Sequence, residues 1–86
     1  MKLAERVYKW RFARMMRAAD RMSDSDNFDP TKAQELVRGY HDLTVQVYDD
    51  SRLTENEKDA WGTAFTHCYD TSINGLTLKC VVTLAS

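Results

Sequence analysis

Residues 29–57, DPTKAQELVRGYHDLTVQVYDDSRLTENE, hold one helix from start to finish, a turn, and the opening of the next helix. Asp29-Pro30 reads as an N-cap followed by proline at the first helical position, where its missing N–H would have had no partner anyway. Ala33, Leu36, Val37, Tyr40, Leu43, Val47 and Tyr48 then recur at three- and four-residue spacing. That period predicts an amphipathic helix over 30–51, closing near Asp50-Ser51-Arg52. Thr54-Glu55-Asn56-Glu57 fits a capping box, in which the hydroxyl and the carboxylate each satisfy the other residue's backbone donor. A third helix over 54–74 follows, with Trp61, Ala64, Phe65, Cys68 and Tyr69 on one stripe. Asn74-Gly75 is its expected end, since glycine takes the left-handed conformation that closes helices.

Upstream, residues 2–22 contain no glycine or proline and are rich in Ala, Arg, Lys, Leu and Met, all strong helix formers. Ala4, Val7, Tyr8, Phe12, Met15, Ala18, Ala19 and Met22 project onto one broad apolar face. Lys2, Arg6, Lys9, Arg14, Arg17 and Arg21 take the other side. Arg11 points into the apolar stripe, either snorkelling at its edge or pairing with an acid on a neighbouring helix. The segment 23–29, with its Ser, Asp and Asn residues, is a turn. Downstream, the tail 76–85 alternates as a strand would (Leu76, Leu78, Cys80, Val82, Leu84). A short helix would instead align Leu76, Cys80 and Leu84, and a lone strand has nothing in the chain to pair with. The expectation is therefore an all-α domain: a three-helix antiparallel bundle with a short C-terminal fourth element, helix or lone strand.

The chain has 86 residues, enough for one domain with a modest core. No apolar run approaches the 18 or so residues of a membrane span. Met1-Lys2-Leu3-Ala4-Glu5-Arg6 meets charge before any apolar stretch, unlike a secretory leader. With a start methionine and no tag or linker, the chain suits a small cytoplasmic accessory protein.

No constellation of an enzyme is present. The three glycines stand apart, and Gly39 and Gly62 fit close helix approach better than a phosphate loop. His67 and Asp70 can share a helical face, but two ligands do not make a metal site. His41 beside Asp42 reads as a surface group. Cys68 falls on an apolar stripe, where free cysteine behaves as a small hydrophobe. A Cys68–Cys80 disulfide is conceivable only if the tail folds back. No serine is tied by spacing to a histidine. The reading is no catalysis, no cofactor and no metal.

What remains is charged surface. Residues 1–22 carry seven basic and two acidic groups, whereas residues 23–86 carry five basic and eleven acidic ones. The net charge of −1 thus hides a polarised chain. Glu35, Asp42 and Asp49 form a row at seven-residue spacing, about 10 Å apart along a helix axis. Glu55, Asp59 and Asp70 also point away from the core stripe. Such carboxylates can occupy a basic groove built for nucleic acid. On the first helix Trp10 lies among Arg6, Arg14, Arg17 and Arg21, the residue types enriched at binding hot spots, unless it is gripped by the bundle instead. The same basic helix could track a phosphate backbone, but eleven acids on so small a body would repel it within a Debye length of about 8 Å.

The expected function is stoichiometric binding of a larger protein, as inhibitor or regulator, through the acidic faces, the Trp/Arg patch, or both. Small inhibitors carried by phages and mobile elements against host defence or nucleic-acid-handling machines have this general character of size and surface. A small nucleic-acid-binding regulator is the alternative, and a second copy of the chain is a further candidate partner.

Overall fold

The computed structural model describes residues 2–24 and 26–85, so Met1, Ser86 and the Ser25 position of the first turn lie outside the described residues. The chain is all-helical, with no strand among the described residues: α1 is Leu3–Asp24, α2 Pro30–Asp49, α3 Glu55–Cys68 and α4 Asn74–Ala85. Asp29 caps α2 as its sequence predicts, its carboxylate accepting from the amides of Thr31 (3.0 Å) and Lys32 (3.4 Å). Thr54 and Glu57 form the capping box of α3: the Glu57 amide donates to Thr54 Oγ1, and the Thr54 amide donates to Glu57 Oε1.

α1 and α2 meet with their numbering running in opposite senses. Tyr8 reaches Asp50, Arg11 reaches Gln46, and Met15 lies over Gly39. α3 and α4 run alongside α1 in its own direction, from Lys2 against Glu57 to Lys79 against Ser23. The buried core draws Tyr8 and Ala19 from α1 and Ala33, Tyr40, Leu43 and Val47 from α2. Phe65, Ile73, Leu76 and Cys80 complete it from the C-terminal half. Between α1 and α3 the space is filled by rings, Tyr8, Phe12, Trp61 and Phe65, at centroid distances of 5.3 to 6.3 Å.

The corner between α2 and α3 is held by one carboxylate. Asp50 has only 6% of its side chain exposed. It accepts from Tyr8 Oη (2.6 Å), from Arg52 Nε and Nη2 (2.9 and 2.6 Å), and from the Arg52 amide (2.9 Å). Lys2 closes the same corner, donating to the Arg52 carbonyl (2.6 Å) and pairing with Glu57 (2.8 Å).

One expectation is corrected here, and two alternatives left open by the sequence are decided. The third helix does not stop at Asn74-Gly75. Residues Tyr69–Ile73 form a π-helical turn that carries α3 directly into α4, and no glycine has positive φ. The reason lies in the packing: the Tyr40 hydroxyl donates to the Phe65 carbonyl, which the Tyr69 amide also seeks. The shared oxygen immediately precedes the wider turn, in which the Tyr69 amide also bonds Thr66 O and Asn74 N–H bonds Tyr69 O five residues back. Second, the tail is helical, with Leu76 and Cys80 buried but Leu84 exposed. Lys79 and Cys80 already reach Ser23 O and Pro30 O at the α1–α2 turn, so the residues after them run beyond it. Third, the Cys68–Cys80 disulfide is excluded: both thiols are free, and twelve residues along helical backbone separate them by about 18 Å, far beyond bonding reach.

Because Gly75 sits in helical backbone with nothing within 4 Å of a built Cβ, Gly75→Ala is expected to stabilise the protein by about 0.5–1 kcal/mol. A left-handed cap at this position would instead make the substitution destabilising, so urea denaturation followed by circular dichroism separates the two conformations.

The corner also predicts the pH dependence of stability. Arg52, and then the Tyr8 hydroxyl, hold Asp50 well below the usual carboxylate range, and Lys2 foremost draws Glu57 down to about 2. Burial pushes Tyr40 up to about 12, and the hydrogen bond to Asp50 raises Tyr8. Lowered carboxylates stabilise above their unfolded pKa of about 4 and lose that contribution as pH falls through the folded values. Raised phenols stabilise below about pH 10 and lose their contribution as pH climbs past it. Denaturation midpoints are expected to be flat between these limits and to fall on both sides, with Asp50→Asn lowering the plateau and flattening the acid limb.

Candidate functional site

The outward face of α1 follows from steps of three and four residues. Leu3, Arg6, Trp10, Arg14, Arg17 and Arg21 succeed one another along a single line and are all exposed. From Arg6 to Arg21 the line measures about 22 Å at the helical rise. Trp10, for which both gripping by the bundle and exposure were open, is 59% exposed, and the Arg14 guanidinium lies over its ring at 5.5 Å. None of the four arginines makes an ion pair among the described residues, where the two pairs are Lys2–Glu57 and Arg52–Asp50.

The fold gains little from this arrangement: Arg21 in the last turn of α1 complements the helix dipole and Arg14 covers the Trp10 ring, but Arg6 and Arg17 have no such role. Like charges three and four residues apart on a helix repel by a few tenths of a kcal/mol per pair. A large exposed ring contributes little burial in return. Arg11, by contrast, belongs to the fold. Its Nη1 donates to Gln46 Oε1 at 2.8 Å, an exposed bond at the edge of the stripe, so of the two readings open for it the pairing with an acid is not the one formed. Val7, assigned to the apolar face, is half exposed at the same edge.

The six acids are all exposed but do not form one surface. Glu35, Asp42 and Asp49 lie on the outer side of α2, opposite Ala33, Tyr40 and Val47. Arg38, three and four residues from Glu35 and Asp42, shares that side and interrupts the negative charge. Asp59 and Asp70 line a shallow depression between α2 and α3 with Tyr48, Lys58, Thr66 and His67. Glu55 stands in the first turn of α3, where a carboxylate complements the positive end of the helix dipole. The fold thus accounts for Glu55, and the row proper is three residues long.

No group of three or more His, Cys, Asp or Glu side chains could hold a metal ion among the described residues. His67 and Asp70 share the depression without a third ligand. Burial raises the Cys68 and Cys80 thiols, which disfavours their nucleophilic thiolate forms. A second exposed feature escaped the reading of the sequence. Leu78, Val81, Val82 and Leu84 of α4 are exposed apolar residues, a consequence of the helix running past the α1–α2 turn. No helix of the described residues is long and apolar enough to cross a membrane.

If the α1 line is a surface the fold does not use, Arg17→Gln should shift stability by no more than about 0.5 kcal/mol. In a Trp61→Phe background, Trp10 fluorescence should be quenched by acrylamide almost as readily as free tryptophan. A shielded Trp10 or a marked loss of stability would place these residues in the packing instead.

Comparison with known proteins found no matching family model, no matching curated protein and no matching solved structure.

Proposed function

We propose that the protein is a stoichiometric docking protein, an inhibitor or regulator that seats α1 against an acidic surface of a larger protein and performs no chemistry of its own. The observation that carries this reading is the line Arg6, Trp10, Arg14, Arg17 and Arg21: exposed, continuous, and without an ion pair among the described residues. Arginine and tryptophan dominate binding energetics because they offer large contact area together with directional donors and a polarisable ring. The acidic row of α2 is the weaker candidate as the primary surface, since Arg38 sits within it. A host-defence or nucleic-acid-handling machine remains the class of partner we favour, by the analogy of size with small mobile-element inhibitors; the basic groove of such a machine would fit the acidic row, whereas the α1 line calls for an acidic patch on it.

One observation favours a second reading, binding of nucleic acid through the same line. The acidic row lies on a different helix of a body 18 by 17 Å in cross-section, wider than a Debye length of about 8 Å at physiological salt. The repulsion expected from the acids is thereby screened on the α1 side. Base stacking on Trp10 with phosphates on the arginines would then supply the contact.

Affinity capture from nuclease-treated lysate separates the readings. Under the docking reading, wild-type protein and an Asp42→Asn, Asp49→Asn variant enrich the same polypeptide at a fixed ratio, whereas Trp10→Ala with Arg14→Glu loses it at unchanged melting temperature. Under the nucleic-acid reading, capture vanishes on nuclease treatment, and gel shifts with single-stranded oligonucleotides weaken steeply as salt rises.

A further inference from the structure

The α1 line and the α2 row have the same length. Arg6 to Arg21 covers about 22 Å, and Glu35 to Asp49 covers about 21 Å, at the rise of an α-helix. Within them Arg6, Arg14 and Arg21 stand eight and seven residues apart, while Glu35, Asp42 and Asp49 stand seven and seven apart. All six are exposed, and none forms an ion pair among the described residues. Each face also carries exposed apolar surface: Trp10 among the arginines with Leu3 at the end of the line, and Val45, 57% exposed, between Asp42 and Asp49. The two faces belong to different helices, and among the described residues no ion pair closes one on the other within a molecule; two molecules can bring them together.

We infer that the protein associates with itself head to tail, the Arg/Trp line of α1 in one copy seated on the acidic row of α2 in the next. The contact joins two different surfaces and is therefore heterologous. A pair leaves one line and one row open, and growth continues into short chains. The interface is mostly charge on exposed side chains, each pair contributing little, and Arg38 opposes the incoming arginines. Association is accordingly weak, confined to low ionic strength, and in competition with any foreign partner for the same line. The inference rests on the α1 line being a docking surface, as proposed above, yet the two fail separately. Foreign capture without self-association removes only this inference, and self-association without capture removes only the other.

Sedimentation velocity tests it. At about 10 mM salt, where the Debye length is about 30 Å, the average mass should rise with protein concentration; at about 1 M, where it is about 3 Å, only monomer should remain. Arg14→Glu with Arg17→Glu should be monomeric alone, as should Asp42→Lys with Asp49→Lys. Mixed in equal amounts, the first supplies a row and the second a line, and a discrete species of twice the monomer mass should form. Circular dichroism confirms that each variant is folded, and the milder Arg14→Gln and Asp42→Asn changes should each reduce the low-salt mass of a fully folded chain. Monomer at every salt concentration, undiminished association of either charge-reversed variant, or a mixture that stays monomeric would overturn the proposal.

Discussion

The Asp50 carboxylate joins three parts of the chain that are otherwise only neighbours. It lies where α2 ends, takes the guanidinium and amide of Arg52 in the turn, and receives the hydroxyl of Tyr8 from α1. A carboxylate removed from water is tolerated only when its oxygens are occupied by donors, and here they are. The consequence is geometric. With Tyr8 fixed against the corner, α1 has one register on α2, and the line that runs along its opposite side has one direction. The Lys2 bridge to Arg52 and Glu57 pins the first turn of α1 to the same place.

Charge is distributed around this scaffold in a way that folding does not explain. Lys2, Arg11, Arg52 and Lys79 each bond a named partner in the structure. Among the described residues the side chains of Arg6, Arg17 and Arg21 make no ion pair, and that of Arg14 lies over the exposed ring of Trp10. Local conflicts of this kind, tolerated at some cost to stability, are where function is expected in a natural sequence. The acids divide in the same manner. Glu57 and Asp50 are structural, Glu55 serves a helix end, and Glu35, Asp42 and Asp49 make no ion pair among the described residues.

The second constraint of consequence is the carbonyl of Phe65. Its oxygen takes the Tyr40 hydroxyl as well as the helical amide of Tyr69, and the wide turn that follows lets the backbone continue instead of ending. Thr63, Thr66, Thr71 and Thr77 each return a hydroxyl to the carbonyl four residues earlier, so the rod satisfies its polar side chains internally. Continuation brings Lys79 to the end of α1, where it donates to Ser23, one of the carbonyls that a helix terminus leaves without a partner.

Local chemistry determined the starts of α2 and α3, because Asp29-Pro30 and the Thr54–Glu57 box act through bonds to residues two or three positions away. It also determined the apolar faces and the clustering of arginine around Trp10, which follow from helical period alone. Tertiary contacts decided the rest. Whether Trp10 was gripped or exposed depended on where α3 packs, and whether Arg11 met an acid or an amide depended on the register that Tyr8 and Asp50 set. The path through Gly75 was decided by packing, which buries Ile73 and Leu76 on either side of it. A glycine permits both a left-handed stop and an ordinary helical residue, and only a partner from outside its own segment selects between them.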